Sequence, residues 1–332
     1  MFDSKNLIVM SLMVGSVFGH SAVEWQTRTI YQVLTDRIAT DSSDSSTSSC
    51  SDLKKYCGGT FEGIEHNLDY ISGMGFDAIW ISPILTNMGD DYHGYAFQDL
   101  YSVNDKFGGE DGLSSLVTAA HKRDIWVMLD VVGNHVAPVD TDYSLITPFD
   151  KEEYYHAKCD IEDWSDQEQV ENCRLANLPD LDQNHTFVRS TLLDWVAGLQ
   201  EKYHVDGLRI DTVPEVHPDF WSEFSKASGM YCVGEVLNGD VGYVAPYQSV
   251  MDGLLSYPLY FTMIDVFAKG ESMRGLEELV GPSGSYYSQF SDVDLLGTFI
   301  DNHDNPRFLY YTGTGDAAIR RYKNALTMTL FT

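Results

Sequence analysis

The stretch HVDGLRIDTV at residues 204–213 decides how the rest of the chain is interpreted. Its apolar pattern predicts a buried β-strand, yet that strand would carry Arg209 and Asp211. Residues i and i+2 of a strand point to the same face, so these two side chains can pair with each other. A buried ion pair often fails to recover the cost of removing both charges from water, so stability alone would favour apolar residues there. The pair therefore indicates that this strand has a role in function.

Short apolar runs of the same kind recur and alternate with helical patterns. Residues 112–123, 188–203 and 218–228 have apolar side chains at three- and four-residue spacing, which is typical of helices. The alternation of strand and helix implies a parallel sheet. Strands are predicted near Ile30, Ile79, Val127, Leu208, Val233, Leu254 and Phe299.

The residues that follow these strands decide between two parallel-sheet folds. Polar side chains stand at the carboxyl ends of four strands, where a parallel barrel places its reacting groups; they are Asp130, Asp211, Glu235 and Asp301. A doubly wound sheet would more often show a glycine-rich phosphate loop after its first strand, and none is present. We therefore predict an α/β protein with a parallel (β/α)8 TIM barrel. Only seven strands are visible, so we expect the barrel to be incomplete at the eighth strand and the chain to be C-terminally truncated.

Four segments make up the predicted domain organisation. Residues 1–19, with Lys5 before an apolar run and small residues after it, have the layout of a secretory signal peptide. Residues 20–132 and 182–332 form the two parts of the catalytic barrel. Residues 133–181 are a long acidic stretch, and we interpret them as a small inserted subdomain because structureless loops of that length are uncommon inside compact domains.

Composition limits the possible partners. The chain has 332 residues with 43% hydrophobic content, which is enough for one large core. With 21 lysines and arginines against 50 aspartates and glutamates, its net charge is −29. Such a charge repels nucleic acid and anionic membrane surfaces. No later segment is long and apolar enough to span a membrane. We expect a monomer that is secreted and extracellular, or that lies in a digestive compartment reached through the secretory route, with no nucleic-acid or membrane partner.

Cysteine usage agrees with export. Cys50 and Cys57 bracket a short loop, Cys159 and Cys173 bracket a longer polar one, and Cys232 lies in an apolar run. Two local disulfides and one buried thiol are the simplest assignment. The NHT triplet at Asn184 is a glycosylation sequon, which gains weight in a secreted chain.

Five short motifs in barrel order carry a family resemblance. They are DVVGNH (130–135), LPDLDQ (178–183), GLRIDTV (207–213), GEV (234–236) and FIDNHDNPR (299–307). Together they make the chain similar to the α-amylase family of glycoside hydrolases, glycoside hydrolase family 13, and to its secreted fungal-type members. The resemblance covers nearly the whole chain after the signal peptide.

The resemblance implies three catalytic carboxyls. Asp211 would be the nucleophile, Glu235 the general acid and later the base, and Asp304 a stabiliser of the transition state. The chemistry agrees, because retaining glycoside hydrolysis needs two carboxyls about 5 Å apart. Like charges held close together also allow one carboxyl to stay protonated while a neighbour is ionised. Arg209 would keep Asp211 charged, which explains the burial of both residues in one strand.

The resemblance also implies contacts to the sugar. His135 and His303 lie beside the predicted catalytic residues and would donate hydrogen bonds to sugar hydroxyls, and Tyr95 of YHGY (92–95) would be a stacking platform. His93 in the same motif would either pack or bind. The implied ligand is an α-glucan polysaccharide or oligosaccharide.

The implied cofactor is Ca²⁺. Asn134, Glu171 and Asp180 match family positions that coordinate calcium through side-chain oxygens, and the backbone carbonyl of Glu215 would contribute a further ligand. Oxygen ligands suit a hard cation. Such an ion would join the inserted subdomain to the barrel and would not take part in the chemistry.

Two departures from the family pattern bear on specificity. Pro214 and Glu215 stand where the family has a Lys-His pair, and Ala96 stands where it has a tryptophan. We expect retaining endo-hydrolysis of α-1,4-glucosidic bonds in starch or glycogen. An exo-acting α-glucosidase or transglycosylase of the same family remains an alternative because of the Pro214 and Glu215 change. A catalytically silent carbohydrate-binding barrel is a third, although Asp211, Glu235 and Asp304 argue against it.

Overall fold

The computed structural model of the chain describes residues 19–41 and 50–332. Apart from Gly19, the predicted signal peptide lies outside these residues. The strands are β1 (Ile30–Val33), β2 (Ala78–Ile81), β3 (Leu85–Asn87), β4 (Phe97–Val103), β5 (Trp126–Val131), β6 (Gly207–Ile210), β7 (Tyr231–Gly234), β8 (Gly253–Leu255) and β9 (Leu296–Gly297). Short 3-10 helices lie at Asp105–Phe107, Tyr143–Leu145, Glu152–Tyr154, Val213–Glu215, Ala245–Ser249 and Val293–Leu295, and Ile264–Lys269 is a π-helix.

Fourteen α-helices are found in the described part of the chain. They are α1 (Ala22–Trp25), α2 (Thr35–Ile38), α3 (Phe61–His66), α4 (Leu68–Gly73), α5 (Gly109–His121), α6 (Gln167–Asn172), α7 (Thr186–Tyr203), α8 (Pro218–Ser228), α9 (Val241–Val244), α10 (Tyr257–Met263), α11 (Arg274–Val280), α12 (Ser285–Gln289), α13 (Phe308–Thr312) and α14 (Asp316–Phe331).

Seven strands form one parallel sheet in the order β1-β2-β5-β6-β7-β8-β9, which confirms the predicted barrel strands and their order. Every residue of β2, β5, β6 and β7 is buried. A parallel sheet covered by helices is buried on both faces, so its strands are continuously apolar, not alternating. This is why the apolar runs could be recognised in the sequence.

Left-handed capping residues end the helices that precede β6 and β7. Helix α7 is capped at its C-terminus by His204, with φ 57°, and α8 by Gly229, with φ 63°. A left-handed residue reverses the chain direction after a helix, and each of these stands just before a central strand. Helix α8 begins with Pro218 in its first turn, where the missing N–H costs nothing.

The antiparallel hairpin of β3 and β4 was not among the predicted elements. Its register shifts between Leu85 and Thr86 and again between Thr86 and Asn87, so its strands lack a regular alternation of apolar and polar residues. The hairpin continues into the segment that follows β5, because Asp99 pairs with Thr147. It forms one side of the groove described below.

Residues 133–181 contain few regular elements, and the last residues of this segment lie beside the first. His135 pairs with Asp180 in an antiparallel bridge, and Leu181 donates its N–H to the carbonyl of Asn134 at 2.8 Å. The two ends of the segment are therefore adjacent, as an insertion requires. The limits of the subdomain stay a prediction.

Both predicted disulfides are present. Cys50 is bonded to Cys57 and Cys159 to Cys173, the second within residues 133–181, while Cys232 is a buried free thiol. No helix in residues 19–41 and 50–332 is long and apolar enough to cross a membrane.

The seventh strand of the sheet is short, and the sheet is not closed by backbone pairing. Strand β9 has two residues, and among the described residues no ladder joins it to β1. The loop after β9 nevertheless lies against β1, because Nδ1 of His303 is 2.7 Å from Nε2 of Gln32. The sheet is thus curled as an incomplete (β/α)8 barrel, with side chains meeting across the open seam.

Candidate active site

One guanidinium group joins the acids at the carboxyl ends of the central strands. Nη1 of Arg209 lies 2.9 Å from Oδ1 of Asp130 and 2.6 Å from Oδ1 of Asp211. Nη2 lies 2.9 Å from Oε2 of Glu235, at an angle outside hydrogen-bond geometry, so this contact is an ion pair and not a directed hydrogen bond. Arg209 is fully buried. Three carboxylates therefore share one fully buried cation.

Sheet register explains why these side chains meet. Arg209 is paired with Asp130 of β5 on one side and with Val233 of β7 on the other. Asp211 and Glu235 come directly after the ends of β6 and β7, and the N–H of Glu235 donates to the carbonyl of Ile210 at 2.9 Å. Neighbouring parallel strands end at one rim, so the acids that follow them converge.

Glu235 is also held from the opposite side by a hydrogen-bond chain. The Tyr257 hydroxyl donates to Oε1 of Glu235 at 2.9 Å, and it accepts from Nδ2 of Asn302 at 2.9 Å. All three residues are buried. Sequence reasoning missed Tyr257 and Asn302, although Asn302 lies within the motif at 299–307 and could have been found there.

Asp304 approaches the same site from the loop after β9. Its N–H donates to Oδ1 of Asn302 at 3.2 Å, and its side chain is 36% exposed. Burial and the nearby Glu235 carboxylate raise the pKa of Asp304 to about 7. A carboxyl with a raised pKa beside other acids is the arrangement that divides acid and base roles.

Asp130 belongs to the cluster, although sequence reasoning treated it only as a polar strand end. Its Oδ2 accepts from Nε1 of Trp80 at 2.9 Å and from the Tyr95 hydroxyl at 2.6 Å. Burial raises the pKa of Asp130 to about 7, against the opposing effect of Arg209. Asp130 is 1% exposed, so it positions Arg209 and Tyr95 from below.

Tyr95 and His303 form a stacked pair at the rim. Their ring centroids are 5.4 Å apart, and the Tyr95 hydroxyl is 2.7 Å from Nε2 of His303. Burial, with a further contribution from Arg209, lowers the pKa of His303 to about 3, so its ring is neutral. The structure thus brings these two predicted substrate contacts together above Asp130.

The other two histidines of the predicted site make contacts within the protein. Nε2 of His135 is 3.0 Å from the carbonyl of Tyr95, and burial lowers the pKa of His135 to about 4. Nε2 of His93 is 2.7 Å from Oδ1 of Asp91. A sugar contact by His135 stays a prediction, and the packing role that was considered for His93 is the one its contacts favour.

Asp301 does not join the other strand-end acids. Its Oδ1 accepts from the N–H of Phe308 and its Oδ2 from the Tyr322 hydroxyl, both at 2.6 Å. These bonds attach the start of α13 to α14. Asp301 is therefore a structural residue, which the position after a strand could not distinguish from a functional one.

The four predicted calcium ligands lie in one region between the insertion and the barrel. Asn134 and Asp180 are buried at the two ends of the insertion. Nε2 of Gln167 donates to Oε1 of Glu171 at 3.0 Å and to the carbonyl of Pro214 at 2.8 Å, so Glu171 lies beside Glu215. Burial, with Glu235, Asp211 and Asp180 nearby, raises the pKa of Glu215 to about 8.

This donor set fits calcium in its chemistry. Within the described ranges, no three acidic, histidine or cysteine side chains are grouped closely enough to hold a metal ion by themselves. A cation here would need the amide oxygen of Asn134 and a backbone carbonyl in addition to carboxylates. Mixed oxygen ligands of that kind are what Ca²⁺ takes. Oδ2 of Asp180 lies 2.6 Å from Nδ1 of His156, and this contact holds the carboxylate in place.

The structure shows the positions of Pro214 and Ala96, two residues that depart from the family pattern. Pro214 presents its carbonyl to Gln167, and Ala96 is buried with its N–H donating to Oδ1 of Asn87 at 2.9 Å. Neither residue offers a side chain for a sugar.

Asn184 of the sequon is exposed just before α7, so a glycan there would meet solvent; its glycosylation stays a prediction.

Comparison with known proteins agrees with this geometry. The family described as "Alpha amylase, catalytic domain" matches residues 32–332. "Alpha-amylase 1" of Lipomyces kononenkoae is 43% identical, over 93% of this chain and 51% of its own length. "Alpha-amylase 2" of Schwanniomyces occidentalis is 42% identical, over 93% of this chain and 63% of its own length.

A solved structure gives the same result in three dimensions. The alpha-amylase of Malbranchea cinnamomea superimposes with a TM-score of 0.83 at 43% identity, covering 88% of this chain and 64% of its own. The chain thus spans between about half and two thirds of the length of these relatives. With its family match, its curled parallel sheet and its acids around Arg209, the chain belongs to the α-amylase family of glycoside hydrolases.

Proposed function

We propose that the protein hydrolyses internal α-1,4-glucosidic bonds of starch or glycogen with retention of configuration. One observation carries this proposal: Arg209 holds the carboxylates of Asp211 and Glu235 with its two terminal nitrogens. Retaining glycosidases use two carboxyls that flank one glycosidic bond, one as nucleophile and the other as acid and base. The alpha-amylases similar to this chain support the choice of substrate.

Asp211 is the proposed nucleophile. It attacks the anomeric carbon and forms a covalent glycosyl intermediate while the bond to the leaving oxygen breaks. Glu235 protonates that oxygen, and it then takes a proton from the water that releases the sugar. The Tyr257 hydroxyl fixes the orientation of Glu235 through its bond to Oε1.

Asp304 is proposed to stabilise the transition state. Its pKa of about 7 lets it carry a proton at neutral pH, so it can donate a hydrogen bond to a sugar hydroxyl. Tyr95 and His303 would contact the ring at the cleavage position, and His135 would reach a hydroxyl of the same sugar. Arg209 would offset part of the negative charge of the site.

Calcium is proposed to bind between the insertion and the barrel. Asn134, Glu171, Asp180 and the carbonyl of Glu215 would hold it. When bound, the ion cross-links two parts of the chain and lowers the repulsion among these acids. We also propose that the protein is exported, because it has two disulfides and residues 1–19 have the pattern of a signal peptide.

Covalent trapping tests the assignment of the nucleophile. A fluorinated glucosyl inhibitor slows release of the intermediate, so mass spectrometry of peptides should find the label on Asp211. Asp211→Asn and Glu235→Gln should each abolish release of reducing ends from amylose. Glu223→Gln is the matched control, because Glu223 is an exposed acid paired with Arg189. A label on another residue, or full activity in Glu235→Gln, would refute the proposal.

Product analysis separates the remaining alternatives. An endo-acting enzyme releases mixed oligosaccharides from amylose at early times, whereas an exo-acting α-glucosidase releases mainly glucose and a transglycosylase makes longer products. The absence of a side-chain cation at Pro214 and Glu215 is the feature that favours these alternatives. Binding of starch with no product at any time would identify a silent carbohydrate-binding barrel.

A further inference from the structure

We propose a second, non-catalytic α-glucan site in the groove between α7 and the β3–β4 hairpin; this inference rests on the proposed function. The groove, called here the α7 groove, has a volume of about 340 Å³, within the range of ~300–1,000 Å³ that is usual for small-ligand sites. Its edges are formed by Tyr101, Thr191, Asp194, Trp195, Gly198 and Lys202.

The α7 groove combines aromatic surface with polar groups that make no hydrogen bond within the part of the chain that the structure describes. The Tyr101 side chain is 53% exposed, and Trp195 is half-buried. Among the described residues, neither the Asp194 carboxylate nor the Trp195 indole N–H makes a hydrogen bond to another side chain or to the backbone. Aromatic rings cover the apolar faces of a sugar, and a carboxylate or an N–H binds its hydroxyls.

Gly198 is the residue that points most directly to a ligand. It lies inside α7, where glycine lowers helix stability relative to alanine. A Cβ added at Gly198 would meet no atom within 4 Å, and the residue does not have a positive φ. Neither packing nor backbone conformation therefore requires glycine here. Its effect is to leave the wall of the α7 groove clear along one turn of the helix.

The groove is separate from the catalytic cluster. Trp195 and Leu199 border it, and on their other side they border a void of about 10 Å³ next to Asp130. A void of that size holds at most about one water molecule. A glucan segment in the α7 groove therefore cannot reach Asp211, and binding there would anchor the substrate without cleaving it.

The charged residues of the α7 groove favour a neutral ligand. Lys202 is the cation at the edge of the groove, and it is already paired with Glu110. Asp194 has no ion-pair partner in the described part of the chain, and the whole chain carries a charge of −29. Anionic ligands are therefore repelled, whereas a neutral chain of hydroxylated rings fits both the aromatic and the polar surface.

Two measurements test the proposal. One is adsorption to starch granules in the cold, and the other is hydrolysis of maltotetraose. Tyr101→Ala removes the exposed ring, and Gly198→Leu fills the groove from a position where a side chain meets no neighbour. We expect each variant to adsorb at least tenfold more weakly than the wild type and to hydrolyse maltotetraose within twofold of it. Tyr70→Ala is the matched control, because Tyr70 is 59% exposed on α4, outside the groove.

The two readouts separate failure of this site from failure of the proposed function. Loss of adsorption in Tyr101→Ala and Gly198→Leu but not in Tyr70→Ala supports the site, whether or not maltotetraose is cleaved. Unchanged adsorption in both variants overturns the site, as does a wild type that cleaves maltotetraose without adsorbing. A wild type that neither cleaves nor adsorbs overturns both. Gly198→Leu should also have a Tm no lower than the wild type, which excludes unfolding as the cause of lost adsorption.

Discussion

Nη1 of Arg209 lies 2.6 Å from Oδ1 of Asp211, the residue that comes directly after the strand holding Arg209. The same nitrogen contacts Asp130, and the other terminal nitrogen is 2.9 Å from Glu235. Arg209 is fully buried, so its charge is screened by these acids and not by water. We therefore expect both activity and stability to depend on this one cation.

Arg209→Met should be among the most damaging single changes in the protein. It leaves several buried acids without their cation, and breaking a buried ion pair by removing one partner costs about 3–5 kcal/mol. We expect hydrolysis to fall by about 10³-fold or more, because the charges that act in the transition state are no longer fixed. Urea unfolding and the rate on amylose measure the two effects.

Arg189→Met provides the comparison for Arg209→Met. Arg189 is paired with Glu223, whose side chain is 56% exposed, and a surface pair is worth about 0–1 kcal/mol. If both variants lost the same stability and activity, the central position assigned to Arg209 would be incorrect.

Asp304→Asn should change the dependence of stability on pH. The folded protein raises the pKa of Asp304 from 3.8 to about 7, so the folded state binds this proton more tightly than the unfolded state does. The wild type therefore loses stability as pH rises from about 4 to about 7. Asparagine cannot ionise, so Asp304→Asn should gain Tm relative to the wild type on going from pH 4 to pH 8.

The gain from Asp304→Asn should be modest, because the side chain is 36% exposed and solvent screens its charge. Thermal unfolding at several pH values measures it, with Asp294→Asn as an exposed control. Activity should fall in Asp304→Asn by about 10²–10³-fold, as for loss of another group that stabilises a transition state. A Tm difference that is constant across pH would contradict the raised pKa.

Tyr257→Phe tests whether Tyr257 positions Glu235. Removing the hydroxyl takes a donor from Oε1 of Glu235 and an acceptor from Nδ2 of Asn302. A buried polar group left without its partner costs about 1–3 kcal/mol. We expect kcat to fall by more than tenfold with little change in KM, measured on a soluble maltooligosaccharide.

Tyr260→Phe is the matched control for Tyr257→Phe, since Tyr260 lies on the same helix and its ring packs on Phe299. It should leave kcat within about twofold. A kcat for Tyr257→Phe as high as that of the control would show that Glu235 needs no help from this hydroxyl.

Calcium removal should lower the Tm through the predicted ligands. A ligand that binds only the folded state adds about 2.7 kcal/mol at a concentration 100 times its Kd. Glu171→Gln weakens one expected carboxylate ligand, so it should reduce the rise in Tm on titration with Ca²⁺. Glu162→Gln is the same substitution at an exposed residue of the insertion and should behave as the wild type. A wild type whose Tm is indifferent to both Ca²⁺ and chelator would rule out the site.

Prediction from the sequence was most accurate where burial requires a continuous run of apolar residues. The strands of the parallel sheet are apolar along their length because both faces are covered, and α8 begins and ends where its proline and glycine predict. It performed worst at the β3–β4 hairpin, whose register shifts erase the alternation. Asp301 shows a further limit, because position after a strand does not reveal whether an acid faces the cleft or a helix.

The sequence by itself determined the order of the strands, the family motifs and the acids Asp211, Glu235 and Asp304. All of these depend on short-range patterns or on positions after a strand. Only the tertiary structure decided which partners complete the site, because Trp80, Tyr257 and Asn302 come from segments far apart in the chain and meet only when the sheet curls. The α7 groove has the same origin: it forms where a helix and a hairpin pack, and no local pattern records the empty space beside Gly198.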